Sequence, residues 1–190
     1  MKNIAIFASG EGSNAEAIAR YFANSDNVCV KCVLTNRQNA GVHSRMQNLG
    51  IQSLYFPKEV WTDGNQIVEI LKQKDIDLIV LAGFLAKIEL PIIQAYSNRI
   101  LNIHPSLLPH YGGKGMWGHH IHEAVIANRE TESGISIHFI DENIDGGEIV
   151  FQAKCEVLPD DTPDTLATRI HALEHKHYPQ VIEKLLESVL

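Results

Sequence analysis

The chain predicts an α/β protein: a Rossmann-like open, mostly parallel sheet with helices on both faces and a C-terminal antiparallel hairpin. Three observations carry this expectation. Short apolar runs alternate with segments of helical periodicity up to residue 104, the order that builds right-handed strand–helix–strand crossovers. Residues 77–82 read Asp-Leu-Ile-Val-Leu-Ala, apolar at successive positions as a central parallel strand buried on both faces must be. Beyond residue 118 the pattern changes to two alternating stretches, residues 134–140 and 148–157, flanking the turn-rich Asp-Glu-Asn-Ile-Asp-Gly-Gly, and these read as an antiparallel pair.

The elements follow in order. Residues 2–8 form the first strand and run into Ser9-Gly-Glu-Gly. Residues 13–23 are a helix with Ala17, Ile18 and Tyr21/Phe22 on one stripe. Residues 28–34 are the second strand. Residues 41–49 are helical and stop at Gly50, a C-terminal cap signal. Residues 51–56 form a third strand ended by Pro57, and residues 66–74 place Ile67, Ile70 and Leu71 at helical spacing. After the fourth strand, residues 91–96 open a short helix on Pro91, and residues 99–104 form the fifth strand. Residues 119–127 are a helix. In residues 134–140 Ile135, Ile137 and Phe139 share one face, and Ser136 and His138 the other. The last helix opens with Thr162 as N-cap and Pro163 in its first turn; Leu166, Ile170, Leu173, Val181 and Leu185 form its buried stripe.

At 190 residues the chain fits one domain over residues 1–190, with a core large enough to need no disulfide or metal staple. Lys and Arg number 16 against 23 Asp and Glu, a net charge of −7, which argues against a nucleic-acid backbone binder. No apolar run approaches the ~20 residues of a membrane-spanning helix. The apolar start is too short for a signal peptide, so the expected location is the cytoplasm. Cys29 and Cys32 have the spacing of a redox pair, but residues three apart on a strand point to opposite faces, and they read as small buried hydrophobes.

Three segments carry candidate chemistry. In Ser9-Gly-Glu-Gly-Ser-Asn14, between the first strand and first helix, glycines let backbone amides approach an anion where a helix N-terminus adds positive partial charge. The same residues also suit a plain tight turn and helix cap. In Leu-Asn-Ile-His-Pro-Ser-Leu-Leu-Pro, residues 101–109, Asn102 and His104 are two apart at a strand end. They therefore share a face and can converge on one oxyanion during acyl transfer. Asp145 precedes two glycines on a bend, and a carboxylate beside His104 would fix the imidazole's orientation. His171 and His175, four apart on a helix, have the spacing of a metal pair, but with Glu174 the only nearby carboxylate no metal is expected. Lys114, within Gly-Gly-Lys-Gly, reads as part of a solvated surface insertion.

Taken together, Gly-Glu-Gly-Ser-Asn, Val80-Leu-Ala-Gly-Phe84, Asn-x-His-Pro-Ser-Leu-Leu-Pro, Ser136-Ile-His-Phe139, Ile144-Asp-Gly-Gly147 and Glu174-His-Lys-His-Tyr-Pro179 resemble the phosphoribosylglycinamide formyltransferases over essentially the whole chain. The resemblance implies a formyltransferase fold and a folate-dependent one-carbon transferase of purine biosynthesis. Such enzymes move a formyl group from 10-formyltetrahydrofolate, a cosubstrate and not a tightly bound cofactor, to the amine of N1-(5-phosphoribosyl)glycinamide. By position it implies Asn102, His104 and Asp145 as the catalytic set. It also implies Gly12, Ser13 and Asn14 on the nucleotide's phosphate, and Glu174 with Arg169 on its ribose or glycinamide part. Leu85, Ala86, Lys87 and Ile88 would wrap the folate, with Asn102 and with Asp141, Glu142, Asn143 and Ile144 closing the other side. Implied partners are these small molecules, with neither nucleic acid nor membrane, in a monomer or homodimer.

The family's folate-contacting Arg before the fourth strand has no counterpart in residues 56–66, where Lys58 is the candidate substitute. The alternative reading is a formyltetrahydrofolate hydrolase or another folate-dependent formyltransferase. The hydrolases carry an N-terminal regulatory domain, for which a first strand at Lys2 leaves no room; the transfer-RNA formyltransferases carry an extra C-terminal domain. A nicotinamide dehydrogenase would want a third glycine, and a non-catalytic module would have lost one of the three polar residues.

Overall fold

The computed structural model describes residues 1–142 and 146–188. Among the described residues seven strands form one sheet in the order β3-β2-β1-β4-β5-β6-β7. They are β1 (Lys2–Phe7), β2 (Val28–Thr35), β3 (Ser53–Tyr55), β4 (Leu78–Leu81), β5 (Ile100–His104), β6 (Glu132–Phe139) and β7 (Ile149–Glu156). The first five pair in parallel, while β5–β6 and β6–β7 are antiparallel, as the sequence pattern predicts.

The central strands are buried on both faces, and alternate side chains feed two separate cores. Ile4 and Ile6 of β1, Val80 of β4 and Leu101 and Ile103 of β5 point to one face. They meet α1 (Ser13–Tyr21), α2 (Val42–Asn48), α6 (His119–Ala127) and α7 (Pro163–Ser188) through Ile18, Met46, Val125 and Ile170. Ala5, Phe7, Ile79 and Leu81 point to the other face, against α3 (Lys58–Asp63), α4 (Asn65–Gln73) and α5 (Leu90–Ala95) through Trp61, Ile67, Leu71 and Ile92.

Two elements depart from the sequence expectation. The third strand shrinks to three residues at the sheet edge, and residues 58–63, left unassigned by periodicity, form α3, which buries only Trp61. The final helix begins as expected, with the Thr162 hydroxyl accepting from the Thr165 N–H at 3.3 Å, and it continues through an internal Pro179. Leu173 is only partly buried on that helix, and the buried stripe passes instead through Glu174 and Tyr178. Cys29, Cys32 and Cys155 are all free thiols, and Cys32 is fully buried.

The strand order fixes where a ligand can go. From β1 the chain builds outward to β2 and β3 on one side and resumes at β4 on the other. The loops after β1 and β4 therefore part at the carboxyl ends of adjacent strands and leave a crevice, the topological switch point of an open α/β sheet.

Candidate active site

A cavity of about 920 Å³ occupies that crevice. Its walls come from residues 10–14 after β1, residues 81–88 after β4, residues 102–105 at the end of β5, residues 113–119 and 122 before and within α6, residues 140–142 after β6, and residues 167, 171 and 174 of α7.

One end is the glycine turn. Gly12 adopts φ +77°, and a Cβ there would lie 2.5 Å from Cγ2 of Val42, so both conformation and packing require glycine. The turn is fastened to α2: the Val42 N–H donates to the Gly10 carbonyl at 3.2 Å, and Arg45 Nε to the Glu11 carbonyl at 2.7 Å. Arg45 also pairs with Glu16 on α1. Gly12 is the N-cap of α1, and with Ser13 and Asn14 it brings that helix's N-terminus to the cavity wall.

Asn14 donates through Nδ2 to Oε2 of Glu174 at 2.9 Å. Glu174 is 5% exposed, and burial pushes its carboxyl above the usual range, with the Asn14 bond offsetting part of the effect. His171, three residues before Glu174, lies on the same helical face and also lines the cavity. His122 is 3% exposed, and its imidazole falls to about 4 because burial disfavours the cation and His171 and His119 add like charge.

The other end is the loop after β4. Ser9, 1% exposed, ties it to the sheet: the Leu85 N–H donates to its Oγ at 2.9 Å, and that hydroxyl donates to Asn36 Oδ1 at 2.7 Å. Leu85, Ala86, Lys87 and Ile88 line this end, opposite Ile140, Asp141 and Glu142.

Asn102 and His104 also line the cavity, on one face of β5 as their spacing requires. Asn102 is held by its antiparallel neighbour His138. His138 Nδ1 lies 2.9 Å from the Phe139 carbonyl, and a carbonyl only accepts, so Nδ1 carries the hydrogen. Nε2 is then an acceptor and takes a bond from Asn102 Nδ2 at 3.1 Å. His104 is 5% exposed, and its Nε2 lies 2.8 Å from the Tyr111 carbonyl.

The structure thus brings together Gly12, Ser13, Asn14, Glu174, Leu85, Ala86, Lys87, Ile88, Asn102, His104, Asp141 and Glu142 around one cavity. Asn143, Ile144 and Asp145 lie outside the described residues. Arg169 lies apart from this set. It does not line the cavity, and its guanidinium is engaged by both oxygens of Asp161, at 2.7 and 3.1 Å, and by the Glu156 carbonyl at 2.9 Å. Five residues before Glu174 is roughly 140° around an α-helix, which is a different face. The expected substitute Lys58 opens α3 and is not among the cavity residues. His175 is also outside the cavity wall, so the His171/His175 pair does not converge on it; among the described residues no cluster has the make-up of a metal site.

The glycine-rich segment read as a surface insertion is cavity wall: Gly113, Lys114, Gly115, Met116, Trp117 and Gly118 all border the cleft. Sequence reasoning missed His138, His122, Arg37 and Trp117 as site residues. For His138 the signal was present, since an alternating strand places it on the polar face directly opposite Asn102.

An amide and an imidazole beside a glycine turn at a helix N-terminus, in a crevice at the carboxyl ends of the strands, give the ligand-site layout of an open α/β sheet. Comparison with known proteins narrows the class. The formyl transferase family profile matches residues 2–182. Phosphoribosylglycinamide formyltransferase of Bacillus subtilis (strain 168) is 36% identical over 191 residues, spanning 98% of this chain and 95% of that protein. The chloroplastic phosphoribosylglycinamide formyltransferase of Arabidopsis thaliana is 38% identical over 193 residues, 98% of this chain, which spans 66% of the plant protein's length. The crystal structure of phosphoribosylglycinamide formyltransferase from Streptococcus pneumoniae superposes with a TM-score of 0.87 at 34% identity, covering 97% of this chain and 99% of that one. The chain belongs to the formyl transferase family.

Proposed function

We propose that the protein transfers a formyl group from 10-formyltetrahydrofolate to the amine of N1-(5-phosphoribosyl)glycinamide, releasing tetrahydrofolate and the formylated glycinamide ribonucleotide, within one domain spanning residues 1–190. The observation that carries this reading is the placement of Asn102 and His104 in one cavity with a glycine-turn helix terminus and with Leu85, Ala86, Lys87 and Ile88 of the loop after β4. The glycine turn suits a phosphate and the loop after β4 a flat heterocycle, so two substrates can meet at Asn102 and His104.

The chemistry follows from those positions. The substrate amine attacks the formyl carbon, and the carbonyl oxygen acquires the negative charge. Asn102 donates a neutral N–H to that oxygen, and protonated His104 donates a charged one. Preorganised donors of this kind cost no rearrangement when the charge appears. As the intermediate collapses, the C–N bond to the folate nitrogen breaks, the proton lost by the attacking amine is passed to that nitrogen, and tetrahydrofolate leaves. Asp145 is assigned to support the imidazolium and to relay that proton. Glu174 and Asn14 hold the ribose or glycinamide part, and Gly12 and Ser13 the phosphate.

Absorbance of the folate during deformylation, followed with and without the glycinamide ribonucleotide, tests the reading. Turnover is expected only with the amine present; equal turnover without it would mean that water is the acceptor. His104→Ala is expected to lower kcat by about 10²-fold or more, the usual loss for one oxyanion donor.

A further inference from the structure

The proposed chemistry needs the His104 imidazole in one tautomer and one orientation. The described residues contain a device for this that belongs neither to the substrate ends of the cavity nor to the sheet.

The Tyr111 carbonyl stands 2.8 Å from His104 Nε2. Since it only accepts, the ring must donate, so the neutral imidazole is the Nε2–H tautomer and protonation takes place at Nδ1. That carbonyl is aimed by an unusual backbone. Tyr111 has φ +56°, in the left-handed region that a bulky side chain disfavours and keeps only when its surroundings hold it there.

The holding groups are specific. The Tyr111 hydroxyl donates to Glu130 Oε1 at 2.7 Å and accepts from Asn128 Nδ2 at 2.8 Å, while the ring packs against the core. Burial and then the Glu130 carboxylate raise the phenol above its ordinary range, so it keeps its hydrogen for this bond. Asn128 and Glu130 are in turn fixed to the end of α6 through backbone bonds to Ala124 and Val125, at 2.9 and 3.2 Å. On the near side, Ser106 Oγ donates to the His110 carbonyl at 2.7 Å, closing the turn that delivers Tyr111.

We propose that Tyr111 is a positioning residue for His104: its phenol, gripped by Asn128 and Glu130 beyond α6, acts as a strut that presents its backbone carbonyl to the imidazole and fixes the tautomer used in formyl transfer. The catalytic consequence rests on the function proposed above; the tautomer does not.

The test uses Tyr111→Phe, which keeps the ring and removes the grip, and Asn128→Ala, which removes one of its two bonds. Nitrogen-15 spectra of histidine-labelled protein are expected to show His104 as the Nε2–H tautomer in the parent and as a mixture in Tyr111→Phe. In the transfer assay kcat is expected to fall by about tenfold for Tyr111→Phe and less for Asn128→Ala, with KM for both substrates unchanged. A Tyr111→Phe protein that melts at a lower temperature yet keeps the parent's tautomer and kcat would reduce Tyr111 to a fold-stabilising role and overturn the proposal. A parent protein with no amine-dependent turnover would instead overturn the proposed reaction, and the spectra would still decide on the strut.

Discussion

Asn102 carries an amide whose two ends have the same shape and opposite hydrogen-bonding character, and only its neighbours decide which end meets a substrate. His138 is that neighbour: with Nδ1–H committed to the Phe139 carbonyl at 2.9 Å, its Nε2 accepts from Asn102 Nδ2 at 3.1 Å. The amide is thereby locked with its nitrogen toward His138 and rotation to the carbonyl end is resisted, which in the proposed transfer leaves its second N–H as the donor to the oxyanion. Replacing His138 by Phe keeps the approximate volume at a fully buried position but removes the acceptor. The expected result is a fall in kcat of about tenfold or more with smaller changes in either KM, measured by initial rates; a variant with the parent's kcat would show that Asn102 needs no such lock. His138 also marks a limit of pattern reading. Alternation along β6 separates Ser136 and His138 from the apolar face, but a polar face turned to water and one turned to an enclosed site have the same sequence signature. Asn102 and His104 were legible because a strand end in an otherwise apolar run rarely carries two polar groups in phase. Arg169 stands apart from the cavity that Glu174 lines because nearness along a helix says little about direction around it.

At the level of elements, α7 is the part that joins the two halves of the site. It packs over the sheet, supplies Glu174 and His171 to the cavity, and four residues after Glu174 sends Tyr178 into the core. The Tyr178 hydroxyl is fully buried and lies 3.0 Å from the Leu81 carbonyl and 2.9 Å from that of Leu101, so its hydrogen is shared between the ends of β4 and β5. Burial holds this phenol well above its ordinary range, and it remains a donor. Those two carbonyls belong to the strands that deliver the residues 81–88 loop and Asn102, so one side chain sets the spacing of both. Tyr178→Phe leaves them without this partner and is expected to cost about 1–3 kcal/mol, read as a lowered denaturation midpoint; an unchanged midpoint would mean that the carbonyls find replacement donors. The helices and strands around this joint were legible because α7 and the central strands are long or uniformly apolar. The element that escaped, α3, buries too few side chains for a period to emerge, six residues with only Trp61 inside, while the strand expected over residues 51–56 keeps only three residues at the sheet edge.

The whole molecule carries a net charge of −7, yet its acid sensitivity is set by particular buried groups and not by that sum. Glu16, beside Arg20 and Arg45, and Asp161, beside Arg169, are held below the usual carboxylate range, so their contributions are present near neutrality and vanish only as strongly acidic pH protonates them. Glu174 acts in the reverse sense. Burial raises its folded value, so its contribution is fully present at low pH and is lost as pH rises through that value. His122 governs the window between. Its folded value is about 4 against 6.5 for an unburied histidine, so the unfolded chain binds the proton first. Stability from this residue is complete above pH 6.5 and declines as pH falls toward 4, by roughly 3 kcal/mol if the whole gap is realised. His175 and His177, also lowered by burial, add to the same slope. Urea denaturation across this range is therefore expected to show a falling midpoint in the parent and a visibly flatter profile in His122→Phe, which cannot take up the proton. Parallel profiles for the two proteins would assign the acid loss to groups other than His122.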